Sequence, residues 1–274
     1  MTTDLSLTGL ALGLLLMALP VWCLHHWRTG LVGPTLTATA RMIVQLYLVG
    51  LYLGCLFELN IWWVNLAWGL VMVAVATGTA AQRTQLKPTL LLAPLAIAFL
   101  VAALLICAYF LGLVQGLATP PEGEGFRWRE LFTARYFIPI FGILLGNMLG
   151  VNVLAVSTYY EGLRREQQMV DYLTGNGASL SEATAPLFRQ AIIKAFNPCI
   201  ANMSVMGLVA MPGTMIGQIL GGSAPGTAIR YQMMIAVITF AASMLSLVIT
   251  ICLARRRSFD AMGRLQDVFK NANP

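Results

Sequence analysis

The sequence predicts an all-α, polytopic membrane protein with about seven transmembrane helices, an outer N-terminus and a cytoplasmic C-terminus. Three observations carry that reading. Of 274 residues, 58% are hydrophobic and only 10% charged, with a mean hydropathy of +0.76, whereas a soluble domain carries about 25% charge. The apolar residues gather in runs of about the 20 needed to cross a bilayer, without the roughly ten-residue alternation of a spanning β-strand. The basic residues are shared unevenly between the connections of those runs.

Seven segments qualify, at 5–24, 42–58, 61–80, 89–115, 136–156, 199–220 and 231–254. The second reaches full length if it begins near Thr35, and the sixth is interrupted by Met211-Pro212-Gly213. In this topology thirteen of the seventeen Lys and Arg side chains fall on the inner side; only Arg127, Arg129, Arg135 and Arg230 fall outside. That satisfies the positive-inside rule. It also accounts for the net charge of +6 without nucleic acid as a partner. Met1 to Ser6 carries no Lys or Arg, and the run behind it exceeds the apolar stretch of a signal peptide, so it reads as a retained helix.

The first segment ends at His25-His26-Trp27-Arg28. Adjacent histidines diverge by about 100° around a helix, so the pair reads as an interfacial anchor rather than a metal site. The five cysteines all lie in or beside apolar runs with no CxxC spacing, which makes them small apolar residues. On the second segment Arg41 and Gln45 share a face; Arg41 either snorkels to the interface or turns inward to pair. Trp62, Trp63 and Trp68 on the third form an aromatic belt. The fourth segment is plain and apolar, and Pro120 to Arg135 reads as an interfacial helix around Trp128. On the fifth, Gly142, Gly146 and Gly150 make a smooth stripe for close helix approach. Asn147 and Asn152 beside it serve either packing or a permeation path.

The long polar stretch at about 157–198 follows. Glu161 to Leu173 continues the fifth helix into the cytoplasm, Gly175-Asn176-Gly177 breaks it, and Ser179 with Glu182 opens a second helix by a capping box. That helix is expected to reach Asn197, with Pro198 resetting the chain. An idle connector could be far shorter, so this knob reads as the seat of a soluble partner, through Glu161, Arg164, Arg165, Gly177, Ser179, Glu182 and Arg189. The interrupted segment at about 199–220 then carries Asn202, a face shared by Thr214 and Gln218, the soft side chains Met211 and Met215, and small residues at Gly217 and Gly221. Pro212 removes a backbone hydrogen bond and Gly213 loosens the turn, making them the expected hinge. Non-helical backbone at this depth is tolerated where it is buried in protein or lines a water-filled cavity. The segment either spans or re-enters. With Asn147 and Asn152, its polar and Met residues form the candidate substrate path. Arg255-Arg256-Arg257 ends the last segment as an anchor near anionic head groups.

No G-x-x-x-x-G-K-[ST] motif occurs, and none of the three lysines, Lys87, Lys194 and Lys270, follows a glycine. No carboxylate lies deep in a segment, and no nucleophile–His–acid set is visible. The chain is therefore read as a non-enzyme, and as a transporter it would take its energy from a separate ATPase.

Arg41-Met42-Ile43-Val44-Gln45-Leu46 with Gly50, Gly146-Asn147, and the run GLVAMPGTMIGQILGGSAPGTAIRYQ from Gly207 to Gln232 resemble the FetB-like and aluminium-tolerance-type ABC transporter permease family. The resemblance covers most of the chain from Arg41 onward. It implies a single permease domain over 1–274 in a bacterial inner (plasma) membrane, a homodimeric core, and a separate ATP-binding cassette subunit that holds ATP and Mg. It implies no cofactor on this chain, leaves any metal ligands unassigned, and points to export of iron or another metal ion. Gly177-Ala178-Ser179 with Pro198 loosely resembles the coupling loop of ABC importers, with a longer spacing. A permease for a nucleotide sugar or other small solute, an ATPase-independent channel or facilitator, and a non-transporting scaffold stay open as alternatives.

Overall fold

A chain segment inside a bilayer must satisfy its own backbone hydrogen bonds, so the apolar runs fold as helices. The computed structural model describes residues 7–113, 132–260 and 265–270. Its helices are α1 (Leu7–Leu15), α2 (Ala18–His26), α3 (Val32–Leu59), α4 (Trp62–Arg83), α5 (Pro88–Gly112), α6 (Ala134–Arg165), α7 (Gln167–Gly175), α8 (Leu180–Val205), α9 (Gly213–Leu220) and α10 (Pro225–Ser258), with no strand among the described residues. Among the described residues six stretches are long and apolar enough to cross a membrane: Thr8–His26, α3, α4, α5, α6 and α10. The second expected segment does extend back, to Val32. The expected interfacial helix at 120–135 falls almost wholly outside the described residues.

The core lies where α4, α5, α6 and α10 meet, around the buried side chains of Leu95, Phe99, Phe137, Phe141 and Met148. Gly69 admits the Phe137 ring and Gly142 admits the Met72 methyl; a Cβ at either would sit 3.3 or 3.1 Å from those atoms. The N-terminal helices stand apart. None of the Thr8–His26 stretch and 6% of the α3 stretch is buried, against 44% for α5, α6 and α10.

Polar contacts tie off both ends of the bundle. At one end Asn60 closes α3 in the left-handed region at φ 40°, a conformation its short amide tolerates. Its Oδ1 accepts from the Ala134 N–H at 3.0 Å, while Asn65 Nδ2 donates to the Phe132 carbonyl at 2.8 Å. At the other end the Tyr160 and Ser258 hydroxyls pair, joining the ends of α6 and α10. Residues 265–270 return across this end. The Lys87 N–H donates to the Val268 carbonyl at 2.8 Å, Lys87 Nζ pairs with Asp267 at 2.8 Å, and Leu86 and Val268 are fully buried. This end gathers Arg83, Lys87, Arg164, Arg165 and Arg255 to Arg257, and is called the basic end below.

Two boundaries differ from expectation. Pro198 does not reset the chain: α8 runs through it to Val205. A helical proline forfeits only its own hydrogen bond and strains one turn, and the flanking turns hold. The interruption is also wider than a kink at Pro212. Residues 206–212 are non-helical, Gly207 takes φ +90°, and Pro212 caps the start of α9. A residue before proline is pushed out of the helical region, which keeps Met211 from joining the two helices.

Candidate functional site

At the basic end α6 continues to Arg165, past the apolar span, and α7 turns off behind Glu166. The elbow between α7 and α8 is built from its glycines. Gly177 adopts φ +93°, and the Ala178 N–H reaches back to the Leu173 carbonyl at 3.0 Å, closing α7. The predicted capping box is complete. Ser179 Oγ accepts from the Glu182 N–H at 3.3 Å, and Glu182 Oε2 accepts from the Ser179 N–H at 2.9 Å and hydroxyl at 2.7 Å. The hydroxyl first, then the backbone N–H, hold the Glu182 carboxyl below the usual carboxylate range. The expected docking residues Glu161, Arg164, Arg165, Gly177, Ser179, Glu182 and Arg189 are all exposed. Arg165 pairs with Glu166 at 2.8 Å, and Arg164 lies over the Phe269 ring, 5.2 Å from its centroid. Tyr172 and Met169 on α7 add exposed apolar surface that the sequence reading missed.

From the elbow α8 climbs the bundle. Its buried side (Ala183, Leu187, Ala191, Ala195 and Phe196) packs on α6 and reaches α10. Gly162 of α6 is the close approach: a Cβ there would lie 3.3 Å from Leu187 Cδ2. The contacts fix an antiparallel register with α10. Arg255 reaches the Ser181 hydroxyl, Phe196 meets Phe240 edge-on with centroids 5.0 Å apart, and Gln232 Nε2 approaches Met206 Sδ at 3.9 Å. The chain therefore returns from the basic end to the start of α10 along α8, the 206–212 break and α9. α8 is not among the six stretches apolar enough to cross a membrane; Arg189, Gln190, Lys194 and Asn197 lower its hydropathy.

The break is held from one side. Thr214 Oγ1 donates to Gln232 Oε1 at 2.6 Å, and the same buried amide approaches Met206. Gln232 thus fastens both lips of the break to α10; sequence reasoning passed it over because it ends an apparently structural motif. Between the lips the Gly207 N–H donates to the Ala210 carbonyl at 2.9 Å, and Leu208 and Val209 project, 92% and 83% exposed.

The other expected path residues are dispersed. Asn152 is fully buried and donates to the Met148 carbonyl at 2.9 Å and the Ser246 hydroxyl at 2.8 Å. Asn147 is exposed and bonds its own helix at the Ile143 carbonyl. Asn202 and Met211 are exposed; Met215 and Gln218 are half-buried. Of the packing glycines, Gly142 meets Met72 and Gly221 faces the Gly217 carbonyl, while Gly146, Gly150 and Gly217, like the hinge residue Gly213, border open space. Among the described residues no three His, Cys, Asp or Glu side chains converge as metal ligands. His26 stacks on Trp22 at 5.4 Å.

Long apolar helices wrapped around a shared core define a helical integral membrane protein. The chain belongs to the uncharacterised protein family UPF0014, which matches residues 7–259. It is 31% identical over 241 residues to the UPF0014 membrane protein STAR2 of Oryza sativa subsp. japonica, covering 88% of this chain and 79% of that protein. A UPF0014 membrane protein of Synechocystis sp. is 28% identical over 253 residues, 92% of each chain. The probable iron export permease protein FetB of Escherichia coli is 31% identical over 134 residues, 49% of this chain and 52% of that one. No solved structure matches.

Proposed function

We propose that this chain is the membrane permease subunit of an ABC-type transporter, driven by a separate ATP-binding subunit that docks on the α7–α8 elbow. Similarity to FetB, named a probable iron export permease, supports transport and makes export of iron the first activity to test. In this reading the basic end faces the cytoplasm, as the positive-inside rule requires, and two copies form the permease core. The observation that carries the proposal is the continuity of the elbow with α8. Ser179 and Glu182 lock the helix start, and 26 residues run without interruption to Val205, about 39 Å at 1.5 Å per residue.

The partner binds ATP and Mg and changes shape as it hydrolyses; only an interaction that differs between its two states can shift the permease between its own. Glu161, Arg164, Arg165, Gly177, Ser179, Glu182 and Arg189, with Tyr172, form the seat. Movement of the elbow is carried by α8 to the 206–212 break, where Pro212 and Gly213 act as hinge against the Gln232 clasp. Asn202, Thr214, Gln218, Met211 and Met215 then face the route that opens, and Asn152 holds α6 to α10 beside it.

The test is gentle purification of the full chain from its native membrane, with mass spectrometry of what remains bound. The expected result is a stoichiometric ATP-binding protein, lost from the Tyr172→Asp/Arg189→Glu variant. A chain that purifies without any ATPase, yet passes iron in vesicles, would replace this reading with that of a facilitator.

A further inference from the structure

We infer that the exposed stripe of α8 formed by Gln190, Lys194, Asn197 and Ser204 walls a water-filled, positively charged passage that binds a soluble oxyanion bearing phosphate or carboxylate groups. The inference rests on the permease reading above and names the solute chemistry it would handle.

The four side chains fall within an arc of about 80° at 3.6 residues per turn, and all four are exposed. Ala191 and Ala195, on the buried side of the same turns, pack into the bundle. The stripe is not confined to the basic end. The contacts Ser181 to Arg255 and Phe196 to Phe240 place Lys194 level with Ala242, about 20 Å inside Arg255 along α10. The contacts of Gly162 with Leu187 and of Tyr159 with Phe188 place it level with about Val153, about 12 Å inside Glu161 along α6. The two depths differ because the helices tilt against each other, and both lie within the apolar reach of the bundle. A lysine and three uncharged polar groups at that depth are costly against lipid and face protein or water.

The described apolar helices offer no counter-charge at this level. No Asp or Glu occurs between Glu182 and Asp260, and none between Glu58 and Glu122. Within the long apolar helices the carboxylates stand only near an end, Glu58 on α3 and Glu161 on α6. A second copy of the chain, having the same sequence, would add no carboxylate from these helices beyond Glu58 and Glu161. Pro198 adds a further polar atom, since it cannot donate to the Lys194 carbonyl and leaves that rung of the ladder unmade at the centre of the stripe. An ammonium with three donors flanked by the Gln190 and Asn197 amides matches the acceptor oxygens of a phosphate or a carboxylate; Ser204 lies about 15 Å further along α8 and donates to the Ala201 carbonyl. It repels a bare metal cation, so a metal would pass this wall as an anionic complex.

The test uses the full chain in lipid nanodiscs with no ATPase present. Lys194→Cys and Asn197→Cys, each in a background with the native cysteines replaced, are reacted with a membrane-impermeant thiol reagent. Leu92→Cys on the exposed side of α5 is the reference. Faster labelling at 194 and 197 than at 92, slowed by pyrophosphate or citrate, is expected; equal rates at all three would overturn the passage. In parallel, thermal midpoints are followed against pyrophosphate and citrate at ionic strength matched with chloride. Either anion should raise the midpoint, and which one does so assigns phosphate or carboxylate. Lys194→Arg should keep the response, whereas Lys194→Gln should raise the half-saturating concentration about tenfold or more, the scale of a lost charge-assisted hydrogen bond. No response beyond chloride, or one that follows anionic lipid content instead of soluble anion, overturns the inference. An intact anion response in a chain that never co-purifies with an ATPase would instead overturn the ABC reading alone.

Discussion

The seam between α6 and α8 gives a prediction whose size follows from one distance. A Cβ on Gly162 would lie 3.3 Å from Leu187 Cδ2 and 4.0 Å from Leu187 Cβ. Gly162→Ala gains about 1 kcal/mol of helix propensity, and the contact it creates asks only a terminal methyl to move by a few tenths of an ångström. The two effects offset, so the alanine variant should stay within about 1 kcal/mol of the parent. Gly162→Leu has no such room and should cost about 1–3 kcal/mol by overpacking. Leu187→Ala alone should cost about 2–5 kcal/mol through the cavity it opens. Combined, the new leucine fills the space the old one left, so the pair should be more stable than additivity allows, by about 1–3 kcal/mol. Unfolding of detergent-solubilised protein, followed by tryptophan emission, measures the four variants against the parent. Strict additivity, or a harmless Gly162→Leu, would mean that α8 is not seated on α6 at this point.

Two further outcomes follow from other contacts. Thr214→Val leaves the buried Gln232 Oε1 without its 2.6 Å donor and should cost about 1–3 kcal/mol, part of it recovered in a Thr214→Val/Gln232→Leu double variant; thermal midpoints of the two proteins decide. For Glu182 the folded-state carboxyl sits below its ordinary range, so its contribution is complete above the unfolded pKa of about 4.3 and is lost as pH falls through the depressed value. The acid limb of the stability–pH curve should be steeper in the parent than in Glu182→Gln, and parallel limbs would argue against the cap.

Much of this architecture is legible in the sequence, and the reasons are local. Apolar length announces α4, α5, α6 and α10. Ser179 with Glu182 announces the start of α8, and Gly175-Asn176-Gly177 announces the elbow, because capping and left-handed turns are decided within four or five residues. What stays hidden depends on partners far away in sequence. The level of Lys194 along α10 is set only by the Phe196–Phe240 contact. The packing partner of Asn152 is hidden because Ser246, which accepts from its amide, lies 94 residues on. Leu265 to Phe269 carries no signal of its own, yet Val268 and Leu86 bury each other's end of the bundle. Pro198 misleads for a related reason: proline tells of a lost hydrogen bond, not of whether the surrounding turns hold the helix together.

Whether an ATP-binding partner sits on the α7–α8 elbow is read most directly by site-specific photocrosslinking in the native membrane. A benzophenone side chain is placed at Tyr172 on the exposed face of α7 and, for comparison, at Leu208 on the projecting tip of the 206–212 break. With the partner on the elbow, position 172 should crosslink to an ATP-binding protein, with a yield that changes when a non-hydrolysable ATP analogue is added, and position 208 should not. An ATPase captured from 208, or no ATP-binding adduct from 172 when the protein is intact and photolabelled, would contradict that placement.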